Sequence, residues 1–318
     1  MYSNVRGIKG KKASLIEILS EHEPQVFLLT ETLLRSNSGT SIEGYTFYSK
    51  ARSGKSGGGV GILVRNDIKI NTAPHITDRD IEIMWISVRR KNLSPVIIGT
   101  YYGKQESRTS KEEIEREMFL LKEEIIEMGR EGEIFLCMDG NAKIGILGEP
   151  ISRNGSQLLN LFDETNLTVM NLNDKCSGKV TRKNTKNPSE QSAIDFVAVS
   201  PTIEKWIERM FIDEEETMKI KGKNPTDHNT MMIDIKMTNI DKTFVVKRTS
   251  WNLKASSEKW AVYTNQIKNE LTKAQDLLSD VTKPIDERYK TWLKGIEKSA
   301  WTSIGKNHIQ GKGSRKIL

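Results

Sequence analysis

Cysteine is scarce in this sequence: Cys137 and Cys176 are the only two in 318 residues. That is too few for a disulfide framework or a zinc cluster, so both are expected to be reduced and structural. Histidine is nearly as rare, with four in the chain, and one of them, His228, directly follows Asp227. No apolar run approaches the length needed to cross a bilayer, which argues against a membrane partner. The N-terminal segment interleaves Lys9, Lys11, Lys12 and Glu17 with apolar positions and so lacks the uninterrupted centre of a secretory signal. An intracellular protein is expected.

What is present is a globular composition, 36% hydrophobic and 29% charged, enough for one large core or two ordinary ones. The net charge of +7 is unevenly placed: residues 241–318 hold 16 Lys+Arg against 8 Asp+Glu, leaving 33 against 34 in residues 1–240. The basic character belongs to the tail, so nucleic-acid binding by the main body has to be argued from its site.

Periodicity predicts a strand ending near Asn4, a helix through Leu15 to Leu19, and a buried strand from Gln25 to Thr30. Loops follow from Leu34 to Gly58, with a strand at Tyr45 to Tyr48. Further strands are expected at Gly59 to Val64, Glu82 to Arg89 and Pro95 to Tyr101, the last two turning at Asn92. Gly57-Gly58-Gly59 precedes no helix, so close strand packing explains it better than a phosphate cradle. Ser110-Lys111-Glu112-Glu113 is a capping-box pattern that opens a helix through Ile125. Strands are expected at Ile134 to Met138, Leu167 to Leu172, Lys179 to Arg182, Ala193 to Val199 and Met231 to Met237. Helices are expected at Leu158 to Phe162 and Ile203 to Arg209, the latter followed by a loop. Strands outnumber helices without regular βαβ alternation, which suits paired sheets with helices outside. Beyond Trp251, one helix with Trp260, Tyr263, Ile267 and Leu271 and another with Ile285, Tyr289, Trp292 and Ile296 form a hairpin across Pro284. A flexible stretch from Gly311 to Lys316 ends it.

Polar residues collect at the predicted strand ends: Asn4, Glu31, Asp139, Asn141, Asp195 and the pair Asp227-His228, with Tyr101 at the end of another strand. Singly, such an acid is more often a turn or salt-bridge residue than a ligand. Shared placement at the ends of successive buried strands is what points to one rim. Oxygen donors with a single nearby imidazole suit Mg²⁺ or Mn²⁺. A hard cation, a water activated by an acid and an imidazolium together describe phosphate-ester hydrolysis.

In their order, Asn4-Val5-Arg6-Gly7, Leu29-Thr30-Glu31, Gly99-Thr100-Tyr101, Asp139-Gly140-Asn141, Ser192-Ala193-Ile194-Asp195-Phe196-Val197 and Thr226-Asp227-His228 resemble the endonuclease/exonuclease/phosphatase superfamily. Within it, the first motif, the triple glycine and Trp251-Asn252-Leu253 are similar to the apurinic-like endonuclease domain of non-LTR retrotransposons. The resemblance implies an α/β fold, a four-layered α/β-sandwich of two packed mixed β-sheets flanked by helices. It spans residues 1–238 and is followed by a basic helical linker segment, residues 239–318, with the C-terminal helical hairpin.

Carried over by position, the resemblance makes Glu31 the principal metal ligand, with Asn4 and Asp227 near the same metal. It gives Asp139 the attacking water, Asn141 and Tyr101 the scissile phosphate, His228 a phosphate contact, and Asp195 the orientation of His228. The implied reaction is Mg²⁺-dependent hydrolysis of DNA (Mn²⁺ being the alternative ion), leaving a 3′-hydroxyl that primes reverse transcription. Its setting would be the nucleus. DNA is the implied substrate, and a reverse-transcriptase domain, whose Tyr-x-Asp-Asp is absent here, the implied partner. A phosphomonoesterase on the same fold and a silent nucleic-acid- or protein-binding remnant are the alternatives. Two departures stand out. The strand bearing Asn4 starts close to Met1 and is expected to be short and weakly paired. Arg6 replaces an acid found in some relatives and is expected to pair with an acid instead.

Overall fold

A computed structural model describes residues 1–35, 42–52, 57–71, 73–187, 189–241, 250–252 and 254–307. The Gly311 to Lys316 stretch, and part of the loop expected between Leu34 and Gly58, lie outside the described residues. The chain divides into two units, Met1–Phe244 and Val245–Leu318.

The first unit runs through β1 (Tyr2–Asn4), α1 (Lys12–His22), β2 (Val26–Thr30), β3 (Tyr45–Lys50), β4 (Val60–Arg65), β5 (His75–Ile76), β6 (Glu82–Arg90), β7 (Leu93–Tyr102) and α2 (Lys111–Glu131). It continues with β8 (Glu133–Asp139), α3 (Arg153–Glu164), β9 (Thr168–Val169), β10 (Cys176–Ser177), β11 (Arg182–Lys183), β12 (Gln191–Ser192), β13 (Asp195–Val199), α4 (Pro201–Trp206), β14 (Ile207–Ile212) and β15 (Met231–Ile235). One sheet has seven strands in the order β10-β14-β15-β1-β2-β4-β3, and the other six in the order β5-β6-β7-β8-β13-β9. Both are mixed: β1 runs parallel to β2, and β7 to β8, among antiparallel neighbours.

Three apolar layers hold this sandwich together. Between the sheets lie Leu28, Ile62, Met84, Ile98, Cys137 and Val197. Outside the six-stranded sheet, Trp85, Ile97, Leu136 and Phe196 pack on α2 and α3 through Ile114, Leu121 and Leu158. Outside the seven-stranded sheet, Phe27, Leu29 and Leu63 pack on α1 through Leu15 and Leu19. Each central strand feeds two layers because its side chains alternate. The architecture is the four-layered α/β-sandwich expected from the motifs.

Local chemistry sets the element ends. Ser110 accepts from the Glu113 amide at 3.2 Å while Glu113 reaches back to the Ser110 amide at 3.1 Å, the reciprocal cap that starts α2. Gly58 and Gly59 have φ of 59° and 87°, and a side chain at either would collide with Glu82 or Thr32. Left-handed backbone and tight packing therefore both require the glycines. Short as it is, β1 pairs over its whole length with β2 and at Tyr2 with β15.

Two expectations need correction. The helix predicted to Arg209 stops at Trp206, and Ile207–Ile212 is a strand rather than a loop; antiparallel pairing with β15 claims it. The predicted strands at Leu167 to Leu172 and Lys179 to Arg182 shrink to the short pieces β9 and β11, with a 3₁₀ turn at Met170–Leu172.

The second unit contains α5 (Ser257–Lys273), α6 (Gln275–Ser279) and α7 (Ile285–Ser303), with Pro284 capping the start of α7. Helices α5 and α7 pack as the expected hairpin, tied by Thr302 Oγ1 donating to Gln266 at 2.6 Å and by Lys298 beside Glu270 at 3.4 Å. Tyr289 and Trp292 lie ring to ring on α7 with much of their surface exposed.

Candidate active site

The strand ends of the sandwich bring most of the polar candidates to one rim. Residues Cys137 and Val197 point between the sheets, so alternation sends Asp139 and Asp195, two residues away, the same way. Those acids are cross-strand partners in the β8–β13 register. Tyr2 also points between the sheets, which sends Asn4 inward on β1. The Thr226 hydroxyl ties the Asp227-His228 loop to β1: it donates to the Asn4 carbonyl at 2.6 Å and accepts from the His228 amide at 3.1 Å. Strand β13 is clamped by Asn171, whose amide donates to the Asp195 carbonyl at 3.0 Å and accepts from the Val197 N–H at 3.0 Å.

Within this frame the side chains interlock. His228 Nδ1 lies 2.8 Å from Asp195 Oδ2, and the Tyr2 hydroxyl donates to the other Asp195 oxygen at 2.9 Å. Asn4 Nδ2 donates to Asp139 Oδ2 at 2.9 Å, and the Asn141 N–H to Asp139 Oδ1 at 3.0 Å. Glu31 Oε1 accepts from the Tyr102 hydroxyl at 2.6 Å. Asp227 is gripped by Arg182, from both Nε and Nη2 at 2.9 Å, and by Arg6 Nη1 at 3.5 Å. Arg6, Glu31 and Asn141, which follow β1, β2 and β8, all have left-handed backbone, with φ of 43°, 50° and 45°. Such conformations in non-glycine residues cost energy and cluster where function demands them.

The electrostatics follow from burial and crowding. Burial alone would lower the His228 pKa, but the charge and hydrogen bond of Asp195, then Asp139 and Asp227, raise it to about 9. The ring is therefore cationic at neutral pH. Asp139 is fully buried; desolvation, then repulsion from Asp195, lifts its carboxyl to about 7. Burial also acts to raise Asp227, yet His228, Arg182 and Arg6 outweigh it and the net direction is down.

Of the residues singled out in the sequence, Asn4, Glu31, Asp139, Asn141, Asp195, Asp227 and His228 surround this rim, but Tyr101 does not meet them. Its ring packs against α2 in the outer layer, and its hydroxyl is fully buried beside Glu117 without a hydrogen bond of normal geometry. The tyrosine that reaches the acids is Tyr102, the neighbour of Asp139 in the β7–β8 register. Sequence reasoning also missed Tyr2, Thr226 and Arg182. Strand alternation was the available signal for the two tyrosines, while the sequence held none for Arg182.

Oxygen donors dominate the rim, which suits a hard cation. Asp139, Asp195 and His228 offer atoms within 4.8 Å of one another, a group able to hold a metal ion. All three are engaged within the protein, His228 with Asp195 and Asp139 with Asn4 and the Asn141 N–H. Glu31 adds to the negative charge felt by Asp139, and a divalent cation would relieve that crowding. Asp227 has both oxygens turned toward guanidinium groups instead.

This is the endonuclease/exonuclease/phosphatase fold, and a model of the Endonuclease/Exonuclease/phosphatase family matches residues 1–132. Among solved structures, the endonuclease domain of TRAS1, a telomere-specific non-LTR retrotransposon, superposes with a TM-score of 0.58 at 20% identity, over 74% of this chain and 97% of that one. The 3′-5′ exonuclease NExo from Neisseria meningitidis gives 0.61 at 18%, over 74% and 98%. A 3′ phosphatase structure of NExo from Neisseria, bound to a product DNA hairpin, gives 0.60 at 18%, with the same coverage. Among curated proteins, the RNA-directed DNA polymerase from mobile element jockey of Drosophila funebris is 30% identical over 111 residues. That match spans 35% of this chain and 12% of the polymerase. The family match takes in the first three of the six motifs, and the solved structures share the fold. Among the described residues, no helix is long and apolar enough to cross a membrane.

Proposed function

We propose that this chain is a Mg²⁺-dependent DNA endonuclease that hydrolyses a phosphodiester bond and leaves a 3′-hydroxyl, acting on nuclear DNA as in target-site nicking by a retrotransposon. The observation that carries the reading is the Asp195–His228 pair, with the imidazolium Nε2 lying 3.9 Å from Asp139 Oδ2 on a rim of acids. A cation held by Glu31 and Asn4 beside Asp139 would polarise a phosphoryl oxygen and offset the charge developing on it.

The chain's own groups supply the rest. His228, anchored through Nδ1, has its Nε2–H free to donate to a phosphoryl oxygen, a charge-assisted hydrogen bond that strengthens as negative charge accumulates there. Asp139, whose carboxyl is raised by burial and by repulsion from Asp195, is placed to accept a proton from the attacking water. Asn4 and the Asn141 amide fix its carboxylate from two sides. Asn141 Nδ2, now donating to the Gly103 carbonyl at 2.8 Å, is available to exchange that bond for a phosphate oxygen.

Purified protein should nick supercoiled plasmid when Mg²⁺ is added, and His228→Ala or Asp139→Ala should each slow nicking by about 100-fold or more. Nicking that needs no metal and ignores both changes would overturn the reading. The NExo likeness gives one rival some weight, a 3′-phosphatase acting on DNA ends. Release of inorganic phosphate from 3′-phosphorylated DNA, with plasmid left intact, would favour it.

A further inference from the structure

The backbone of Arg6 is held in a costly conformation that places its guanidinium beside Asp227. Its residue sits in the left-handed region at φ 43°, where a long side chain is disfavoured, and glycine follows it at position 7. The Arg6 N–H donates to Asn4 Oδ1 at 3.0 Å, and the ammonium of the buried Lys11 donates to the Arg6 carbonyl at 3.2 Å and the Val5 carbonyl at 2.5 Å. Three hydrogen bonds thus maintain an unfavourable backbone whose effect is to turn one half-exposed arginine side chain over Asp227.

The pairing at Asp227 is incomplete in an informative way. Arg182 takes Oδ2 with two nitrogens at 2.9 Å, whereas Oδ1 has Arg6 Nη1 at 3.5 Å and His228 Nε2 at 3.9 Å. Neither of the latter distances makes a strong hydrogen bond. Two cationic donors therefore flank one carboxylate oxygen without satisfying their N–H groups on it. Asp195 holds His228, Asp227 lies between the two cations, and both retain donors for a further acceptor. An acceptor that can serve two such donors at once, beside a rim of acids, is an oxyanion with several oxygens.

We propose that Arg6 is a substrate-phosphate ligand, binding an oxygen of the same or the adjacent phosphodiester that His228 contacts, with Asp227 and Arg182 serving to aim it. This rests on the hydrolytic reading of the site, so the test has an arm that does not require turnover. Arg6→Gly removes the guanidinium while suiting the left-handed backbone, so the variant should fold at least as well as the parent by thermal melting. With Mg²⁺ and plasmid, Arg6→Gly should lose about 10- to 100-fold in kcat/KM. Arg6→Lys should recover part of that loss, and the Mg²⁺ concentration giving half-maximal rate should not move.

In the second arm, a short fluorescent DNA duplex is titrated by anisotropy without metal at several salt concentrations. Arg6→Gly should bind more weakly, with the slope of log affinity against log salt smaller by about one. Unchanged kcat/KM together with an unchanged slope would overturn the inference. So would a shifted Mg²⁺ requirement with the slope intact, which would make Arg6 a residue acting through the metal. If the parent protein fails to nick at all, the hydrolytic reading falls, and the slope alone then decides whether Arg6 binds phosphate.

Discussion

Buried acids distinguish this molecule at the scale of single residues, and they divide by what surrounds them. Asp195 has a hydrogen-bonding imidazole and phenol, Asp227 has two guanidiniums, and Asp139 has two amides but crowding acids. Glu117, on α2 away from this rim, has little but the Lys104 N–H at 3.2 Å, and burial drives its carboxyl up to about 7. A carboxyl whose pKa is raised from 4.5 to about 7 by folding binds more protons folded than unfolded, so stability falls as pH rises through that window. The loss amounts to roughly 3 kcal/mol once pH exceeds 7. Glu117→Gln should remove it: urea melts should show the variant gaining on the parent by roughly 2–3 kcal/mol between pH 5 and pH 8. A difference independent of pH would mean that Glu117 ionises without penalty. At this scale the sequence identified acids and amides by type, but not their partners. Tyr101 and Tyr102 are adjacent and chemically identical, and the alternation of β7, with Tyr102 beside Asp139 in register, turns Tyr102 toward Glu31.

Elements were readable where their signal was local. The capping box at Ser110, the apolar face of α2 and the continuous apolar runs of β2, β8 and β13 all depend on near neighbours in sequence. Ser110→Ala should destabilise the unit by about 1 kcal/mol, seen as a lower melting temperature, because the Glu113 amide in the first turn loses its side-chain partner. No shift in melting would indicate that the first turn of α2 is held by other contacts. By contrast, Ile203, Trp206 and Ile207 continue a helical spacing, yet the chain turns to strand at Ile207. The gain there lies in β15, and pairing across a sheet leaves no trace in a local window. The same holds for β9 and β10, two-residue pieces whose hydrogen bonds come from segments some 30 residues away.

For the molecule as a whole, charge and site occupy different stretches of sequence. Residues 1–240 are close to neutral, with 33 Lys+Arg against 34 Asp+Glu, while residues 241–318 carry 16 against 8. We therefore propose that the rim supplies chemistry and the C-terminal segment supplies non-specific attraction to DNA. A chain ending at Phe244 should keep kcat for nicking within a few-fold, yet bind duplex DNA more weakly, with a salt slope smaller by several units, as anisotropy would show. A kcat that collapses on truncation would refute this division of labour.

The sequence by itself determined the sandwich and the identity of most polar groups at its rim. Alternation and strand-end placement are written in residues that are close together, and the six motifs preserve their order along the chain. The tertiary structure alone decided which groups touch: Asp195 with His228 across 33 residues, Asn4 with Asp139 across 135, and Tyr2 with Asp195 across 193. It also turned Asp227 toward Arg182 and Arg6. Those pairings arise from the register of strands brought together by two stacked sheets, and register is a property of the assembled layers rather than of any one segment.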